Sequence, residues 1–248
     1  MLDRFRALES GVVMEKAVKG RGNYVTETDL ACEAAALELL GAEFPNVPVL
    51  SEETAASVEN WEVGWLWVID PIDGTSNFSR GIPTFAFNIA LCHDGEPVLG
   101  ITQQPVTGAE FFAVKGGGLT VNGVPTRVSE AKTLADALTG FGLGYEYDRA
   151  KLMLTLLNDL WPGVTTFQNI GSAALGLAYA ASGRFDLYIH SNLYPWDMAP
   201  GIIQIREAGG LVLDRHGGSI SIYSEGIIAG APGPVREFAE QTHERRWR

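Results

Sequence analysis

Cysteine is nearly absent from this chain of 248 residues; the two present stand at positions 32 and 92. No CxxC pair exists, which argues against a zinc ribbon or a thioredoxin-like centre. Two reduced thiols in an intracellular protein is the expected state. Histidine is scarce as well. His93, His190, His216 and His243 are scattered, and no HExxH helix can be written. Basic residues are outnumbered, 18 Lys and Arg against 30 Asp and Glu, for a net charge of −12. That balance opposes a general nucleic-acid binder or a protein drawn to an anionic membrane surface. No apolar run approaches the roughly 20 residues that span a bilayer. Met1-Leu2-Asp3-Arg4-Phe5-Arg6 leads into no apolar core of a secretory signal, so a cytoplasmic location is expected.

Apolar residues are plentiful, at 46% with 10% aromatics, so disorder is excluded for the chain as a whole. The length allows one large domain or two modest ones. A helix is predicted over 3–18, followed by a small basic loop at Lys19–Asn23. Thr26 and Asp29 read as a capping box opening a helix over 27–40, which Gly41 ends. Val47–Leu50 and Trp65–Ile69 are continuous apolar runs that fit strands covered on both faces, and Pro71 is expected to stop the second. Between 84 and 128, Asp94-Gly95, Thr107-Gly108 and Asn122-Gly123 separate apolar runs as hairpin turns would. Gly140–Gly144 reads as a loop, since its spacing fails the dinucleotide-binding pattern. A helix over 171–182, a strand over 185–190 and a helix from Pro195 to about 208 follow. Strands near 211–213 and 227–229 and a last helix close the chain. Strands and helices alternating around a hairpin-rich middle imply layered α/β packing.

Acidic residues follow apolar strands at Glu52-Glu53 and Asp70, and Asp197 opens a helix. A carboxylate after a buried strand points into the crevice where α/β proteins bind ligands. Several carboxylates in one crevice repel one another, and Mg²⁺, which takes carboxylates, waters and phosphate oxygens, relieves that repulsion. For any one of these acids a solvated cap is the alternative. The run Asp70-Pro71-Ile72-Asp73-Gly74-Thr75-Ser76-Asn77-Phe78 is more informative. Asp73-Gly74-Thr75 reads as a turn opening a short helix, whose free amides form an anion cradle beside two carboxylates. Metal next to phosphate is the arrangement for metal-assisted phosphoryl transfer to water. A plain Asp-Gly turn does not explain the company of Asp70, Thr75 and Asn77.

These residues resemble the signature of the inositol monophosphatase family. Trp196-Asp197-Met198-Ala199-Pro200-Gly201 with Glu207–Gly210 resembles its second signature. Ser51-Glu52-Glu53 is similar to its Gly-Glu-Glu segment, with Ser in place of Gly. Val25-Thr26-Glu27-Thr28-Asp29 and Gly171–Ala174 are similar to two further motifs. The matches run in family order from about 25 to 210. The resemblance implies an αβαβα sandwich of the inositol monophosphatase and fructose-1,6-bisphosphatase type. It implies one catalytic unit, with an N-terminal part, 1–130, and a C-terminal part, 131–248, that supplies Asp197 and the substrate pocket. It further implies two or three Mg²⁺ ions. Glu52, Asp70 and the Ile72 carbonyl hold the first, Asp70, Asp73 and Asp197 the second, and Glu52 with water a third. Glu52 and Thr75 activate the attacking water, Asp29 supports Thr75, and the Gly74 and Thr75 amides bind phosphate. The implied activity is hydrolysis of a small sugar or polyol phosphate by direct in-line attack. Inositol 1-phosphate is the leading substrate, with fructose 1,6-bisphosphate or histidinol phosphate as alternatives. Inhibition by Li⁺ and a homodimer are implied too.

Asp73, Asn169, His190 and Asp197 are the candidate substrate contacts. His190 stands where inositol-selective members carry Glu, and Asn169 stands near a position often Ser or Thr. A structural histidine at a strand end is the alternative for His190. Ser76-Asn77 disfavours the adenosine-phosphate branch, which usually has Lys-Glu there. The loop from Lys19 to Arg21 loosely resembles the family's mobile basic loop. A haloacid-dehalogenase mechanism fails on spacing, because Pro71 stands where its nucleophile would be. A serine triad lacks its GxSxG elbow. A non-catalytic, metal-dependent phosphosugar-binding or regulatory protein is the rival class. The complete set of expected ligands favours catalysis.

Overall fold

A computed structural model describes residues 1–9, 15–20, 23–54 and 64–247. Helix α1 (Leu2–Glu9) is followed by a hairpin of β1 (Lys16–Gly20) and β2 (Asn23–Thr26). The long helix expected over 3–18 is therefore corrected. Among the described residues the helix covers Leu2–Glu9, residues 10–14 lie outside them, and from Lys16 the chain is strand, not helix. Helix α2 (Glu27–Glu43) starts where expected. Asp29 Oδ2 accepts from the Thr26 amide at 2.9 Å and also from the Thr26 hydroxyl, which completes the capping box. It does not stop at Gly41. The glycine is inside the helix, a Cβ there would touch nothing within 4 Å, and the Phe44 amide donates to Leu40 O at 2.7 Å.

Next come β3 (Val49–Ser51), β4 (Trp65–Asp73), the one-turn helix α3 (Thr75–Phe78) and the meander β5 (Ala86–His93), β6 (Glu96–Gln104), β7 (Ala109–Val114), β8 (Gly118–Val121) and β9 (Val124–Thr126). β3 to β9 form a seven-stranded sheet in sequence order, antiparallel except for β3 beside β4. The hairpin turns fall where Asp-Gly, Thr-Gly and Asn-Gly stand. Asp94, Gly95, Gly108, Asn122 and Gly123 all take positive φ. Pro71 does not end β4, because the register with β5 shifts between Asp70 and Asp73. In that irregularity the missing proline N–H leaves no gap in the ladder.

The second sheet has the order β11-β10-β12-β14-β13, built from β10 (Leu138–Gly142), β11 (Thr166–Gln168), β12 (Leu187–His190), β13 (Leu211–Asp214) and β14 (Ile227–Gly230). β10 occupies the glycine-rich stretch expected to be a loop. A Cβ on Gly140 would meet the Phe185 ring at 2.5 Å, and one on Gly142 would meet the His190 ring at 2.1 Å. These glycines admit aromatic neighbours rather than bend the chain. Helices α4 (Tyr147–Leu160), α5 (Ala173–Ala181), α6 (Pro195–Glu207) and α7 (Pro232–Thr242) complete the elements.

α5 and α6 lie between the two sheets, and their apolar side chains join those of both inner faces in one core. α2 covers the seven-stranded sheet from outside through Leu40, Trp67 and Ile69. α4 and α7 cover the other sheet through Met153, Leu156, Val235 and Phe238. The result is an αβαβα layering. Phe5 of α1 packs with Phe78 and Phe85 at ring distances of 6.1 and 4.9 Å, which seats α3 at the end of β4. Among the described residues no helix is long and apolar enough to cross a membrane.

Candidate functional site

β4 runs fully buried to its end and delivers Asp70, Ile72 and Asp73 to the rim of the seven-stranded sheet. Gly74 then turns the chain at φ +90°, and a Cβ there would lie 3.1 Å from both Gly171 O and Thr84 O. Only glycine fits that turn. Thr75 opens α3, and its hydroxyl sits 2.9 Å from both Ile72 O and Asp29 Oδ1. Asp29 thus caps α2 with one oxygen and holds Thr75 with the other. Burial raises the Asp29 pKa, and hydrogen bonds from Thr26 and Thr75 oppose that rise.

Asp197 arrives from the other side, on the first turn of α6. Its Oδ2 accepts from the Tyr194 amide at 2.7 Å. Pro200 sits inside α6, and without an N–H it cannot bond the Trp196 carbonyl four residues back. Asn88 of β5 fills that role, with Nδ2 donating to Trp196 O at 2.8 Å. Thr102 donates to Asn88 Oδ1 at 2.7 Å, and Gln204 Nε2 donates to Thr102 Oγ1 at 3.1 Å. This buried chain pins the start of α6 to the sheet that carries Asp70 and Asp73.

Asp70, Asp73 and Asp197 each offer an oxygen within 4.8 Å of the others. Burial, then the neighbouring charges of Glu52, Asp73 and Asp197, push the Asp70 pKa well above the usual carboxylate range. Burial and Asp73 do the same to Asp197. Burial lifts Asp73 to about 6 against the restraint of three donors at the start of α5. Those donors are the Ser172 hydroxyl and the amides of Ala173 (3.2 Å) and Ala174 (3.1 Å). Asp70 Oδ1 is buried with no hydrogen-bond partner among the described residues. A buried, unpartnered carboxylate oxygen facing two further carboxylates is costly unless a cation sits among them. An oxygen-only donor set of this kind suits Mg²⁺.

A cavity of about 270 Å³ opens over this cluster, bordered by Glu52, Asp70, Ile72, Asp73, Gly74, Thr75 and Asp197. Seven of the residues singled out in the sequence therefore share one cavity, with Asp29 behind Thr75. Glu52 borders the same cavity, near enough for its charge to help raise the Asp70 pKa, and it is tied to a cation. Its Oε1 is 3.0 Å from Lys19 Nζ, which also reaches Glu53 Oε1 at 2.6 Å. Although burial pulls the Lys19 pKa down, Glu52 and Glu53 carry it above its usual value. Lys19 lies on β1 rather than in a loop, and Arg21 lies outside the described residues.

Asn169 and His190 do not reach this cavity. They line a second one of about 420 Å³ that shares Asp73, Gly74, Tyr145, Tyr194 and Asp197 with the first. Asn169 Oδ1 accepts from the Gly171 amide at 2.9 Å and closes the turn before α5. His190 is 5% exposed, and its Nδ1 accepts from the Asn192 amide at 3.2 Å. Burial lowers its pKa to about 3, so the ring is neutral. Sequence reasoning did not reach Tyr145, Tyr194, Asn88 or the Lys19–Glu52 pair. Ser172 belonged to a recognised motif, but its bond to Asp73 joins residues far apart in the chain.

The profile of the inositol monophosphatase family matches residues 1–248. The Nus factor SuhB of Pasteurella multocida is 36% identical over 226 residues, spanning 91% of this chain and 84% of that protein. The Nus factor SuhB of Escherichia coli K12 is 34% identical over 229 residues, spanning 92% and 85%. Among solved structures, the extragenic suppressor protein suhB of Bartonella henselae superposes with a TM-score of 0.85 at 32% identity, covering 96% of this chain and 93% of that one. The IMPase of Thermotoga maritima also gives 0.85, at 29% identity, covering 97% and 91%. With the profile spanning the whole chain and the layered fold shared, this protein belongs to the inositol monophosphatase family.

Proposed function

We propose that the protein is a Mg²⁺-dependent phosphomonoesterase that acts on a small sugar or polyol phosphate, with inositol 1-phosphate as the leading substrate. The observation that carries this reading is the meeting of Asp70, Asp73 and Asp197, drawn from two layers of the fold, beside the Gly74-Thr75 turn. Asp70, Asp73 and Asp197, with Glu52 and the Ile72 carbonyl, hold two or three Mg²⁺ ions in this reading. Bound Mg²⁺ supplies positive charge for the phosphate and acidifies the attacking water. The amides of Gly74 and Thr75 orient the phosphate. Glu52 and the Thr75 hydroxyl position the water, and Asp29 keeps that hydroxyl aimed by accepting a hydrogen bond from it at 2.9 Å. Asn169 and His190 face the alcohol part of the substrate. Residues 1–130 and 131–248 act as one catalytic unit, in a Li⁺-sensitive homodimer of the cytoplasm.

A second reading attaches to the curated relatives that are named Nus factor SuhB. In it the chain also serves through a partner-binding surface, with the site intact.

The deciding experiment measures phosphate release from inositol 1-phosphate, fructose 1,6-bisphosphate and histidinol phosphate, each with Mg²⁺ and with EDTA. Mg²⁺-dependent release from inositol 1-phosphate, lost in Asp70→Asn and Asp197→Asn, supports the reading. No release from any of the three by the folded, Mg²⁺-loaded protein overturns it in favour of a binding role.

A further inference from the structure

We propose that Arg149 and Glu225 are positioning residues: they latch segment 143–147 across the place where the two cavities meet, and so set how fast an anion enters and leaves the smaller one. The proposal rests on the phosphomonoesterase reading, which makes that anion a phosphate group.

Segment 143–147 joins the end of β10 to the start of α4, and its residues line the larger cavity. Tyr145, at its middle, lines the smaller cavity too, in the company of Gly74, Thr75 and the three aspartates. The backbone there is loosely held. Among the described residues no backbone hydrogen bond ties Gly144 or Tyr145 to another element. Gly144 takes φ +67°, so the chain pivots at that point without strain. Side chains at the C-terminal end of the segment fix it instead.

Those side chains form an ionic relay through three parts of the chain. Asn192 Nδ2 donates to Glu146 Oε1 at 2.7 Å. Arg149 Nε donates to Glu146 Oε2 at 3.1 Å, and Arg149 Nη2 donates to Glu225 Oε2 at 3.0 Å. Arg215 Nη2 pairs with the same Glu225 oxygen, and Arg215 Nη1 donates to Ser191 O at 3.1 Å. The Glu225 carbonyl accepts from the Leu193 amide at 2.5 Å.

The two ends of the relay differ in exposure. The Arg215 side chain is 10% exposed, and a guanidinium so buried holds on to its carboxylate, which anchors Glu225 to the fold. The side chains of Arg149, Glu146 and Glu225 are 26%, 58% and 57% exposed. Ion pairs that solvent reaches are weakened by salt. Arg149 is therefore a releasable latch on a fixed anchor. Neither Arg149 nor Glu225 lines either cavity, so both act on a bound anion through the segment they hold.

The test is exchange of inorganic phosphate on the Mg²⁺-loaded protein, followed by phosphorus NMR in the wild type, Arg149→Gln, Glu225→Gln and Arg149→Lys. Arg149→Gln leaves the buried Arg215–Glu225 pair whole, which keeps the test available if Glu225→Gln does not fold. Association and dissociation are both expected to be about three- to tenfold faster in the two Gln variants, as for an unlatched lid. Arg149→Lys, which keeps the charge but not the fork, is expected to fall between them and the wild type. Raising KCl to about 0.5 M is expected to speed dissociation several-fold more in the wild type than in either Gln variant. The two Gln variants change the net charge in opposite directions, so a bare electrostatic effect on the anion would move their association rates apart. Rates that move apart, exchange unchanged in folded Arg149→Gln, or equal salt responses in all four proteins overturn the latch and leave the phosphomonoesterase reading standing. If the Mg²⁺-loaded wild type binds no phosphate, the latch and that reading fall together.

Discussion

His190 gives the acid stability of this protein a component that rests on one ring. Its pKa is held near 3 by burial, against an ordinary value of 6.5. Above about pH 7 neither the native nor the unfolded chain protonates this residue. As pH falls through 6.5 the unfolded chain binds a proton that the native chain refuses, so stability drops until the native ring titrates near 3. At pH 5 the solution lies about 1.5 pH units below the unfolded pKa, and at about 1.36 kcal/mol per unit the loss is about 2 kcal/mol. In His190→Asn, Oδ1 can still accept from the Asn192 amide, but nothing titrates. The assay is urea denaturation of both proteins at pH 7 and pH 5 with saturating Mg²⁺. The aspartates are common to both, so their contribution cancels in the comparison. Wild type is expected to lose about 2 kcal/mol more than the variant between the two pH values. Parallel losses, within about 0.5 kcal/mol, would refute the claim that the ring is buried and neutral.

Three further outcomes are expected. Asp70→Asn removes a buried charge whose ionisation its neighbours oppose. In EDTA above neutral pH it is expected to be more stable than wild type by about 1–3 kcal/mol, while the rise in Tm on adding Mg²⁺ disappears; thermal scans with and without Mg²⁺ read both. Gly142→Ala and Gly41→Ala are expected to move stability in opposite directions. The first drives a Cβ to 2.1 Å from the His190 ring and costs about 1–3 kcal/mol, whereas the second meets nothing within 4 Å inside a helix and gains up to about 1 kcal/mol, as chemical denaturation will show. Asn88→Ala strips the donor from the Trp196 carbonyl that Pro200 leaves open, and calorimetry is expected to show Mg²⁺ affinity falling about 10–100-fold.

Features written in local backbone chemistry were legible before any coordinates. Thr26 and Asp29 sit three apart, so the capping box and the start of α2 follow from neighbours in the chain. Asp94-Gly95 and Asn122-Gly123 need positive φ, and the turns fall there. Where glycine serves a contact instead of a turn, the same logic misleads. Gly140 and Gly142 read as a loop because the rings they accommodate, Phe185 and His190, are distant in sequence. Pro71 reads as a strand end because a register shift is invisible without the partner strand. β1, Lys-Ala-Val-Lys-Gly, is too short to show a strand's alternation, so its first residues read as the end of the helix before it. At the site, the aspartates were legible through motifs, and they converge. Lys19 against Glu52, Ser172 against Asp73 and Asn88 against Trp196 were not, since each is a pairing of distant segments that no local pattern encodes.

The placement of Asp70 and Asp73 on β4 and of Asp197 on α6 has a consequence for how the chain reaches its native state. The three oxygens come together only after the inner helical layer has seated on the seven-stranded sheet. A divalent ion spanning them finds no equivalent site in a half-assembled chain. It therefore acts as a rivet driven after the plates are aligned. On the proposed Mg²⁺-dependent reading, such a rivet leaves the rate of assembly unchanged and slows disassembly, so adding Mg²⁺ is expected to lengthen the lifetime of the folded protein without hastening its formation.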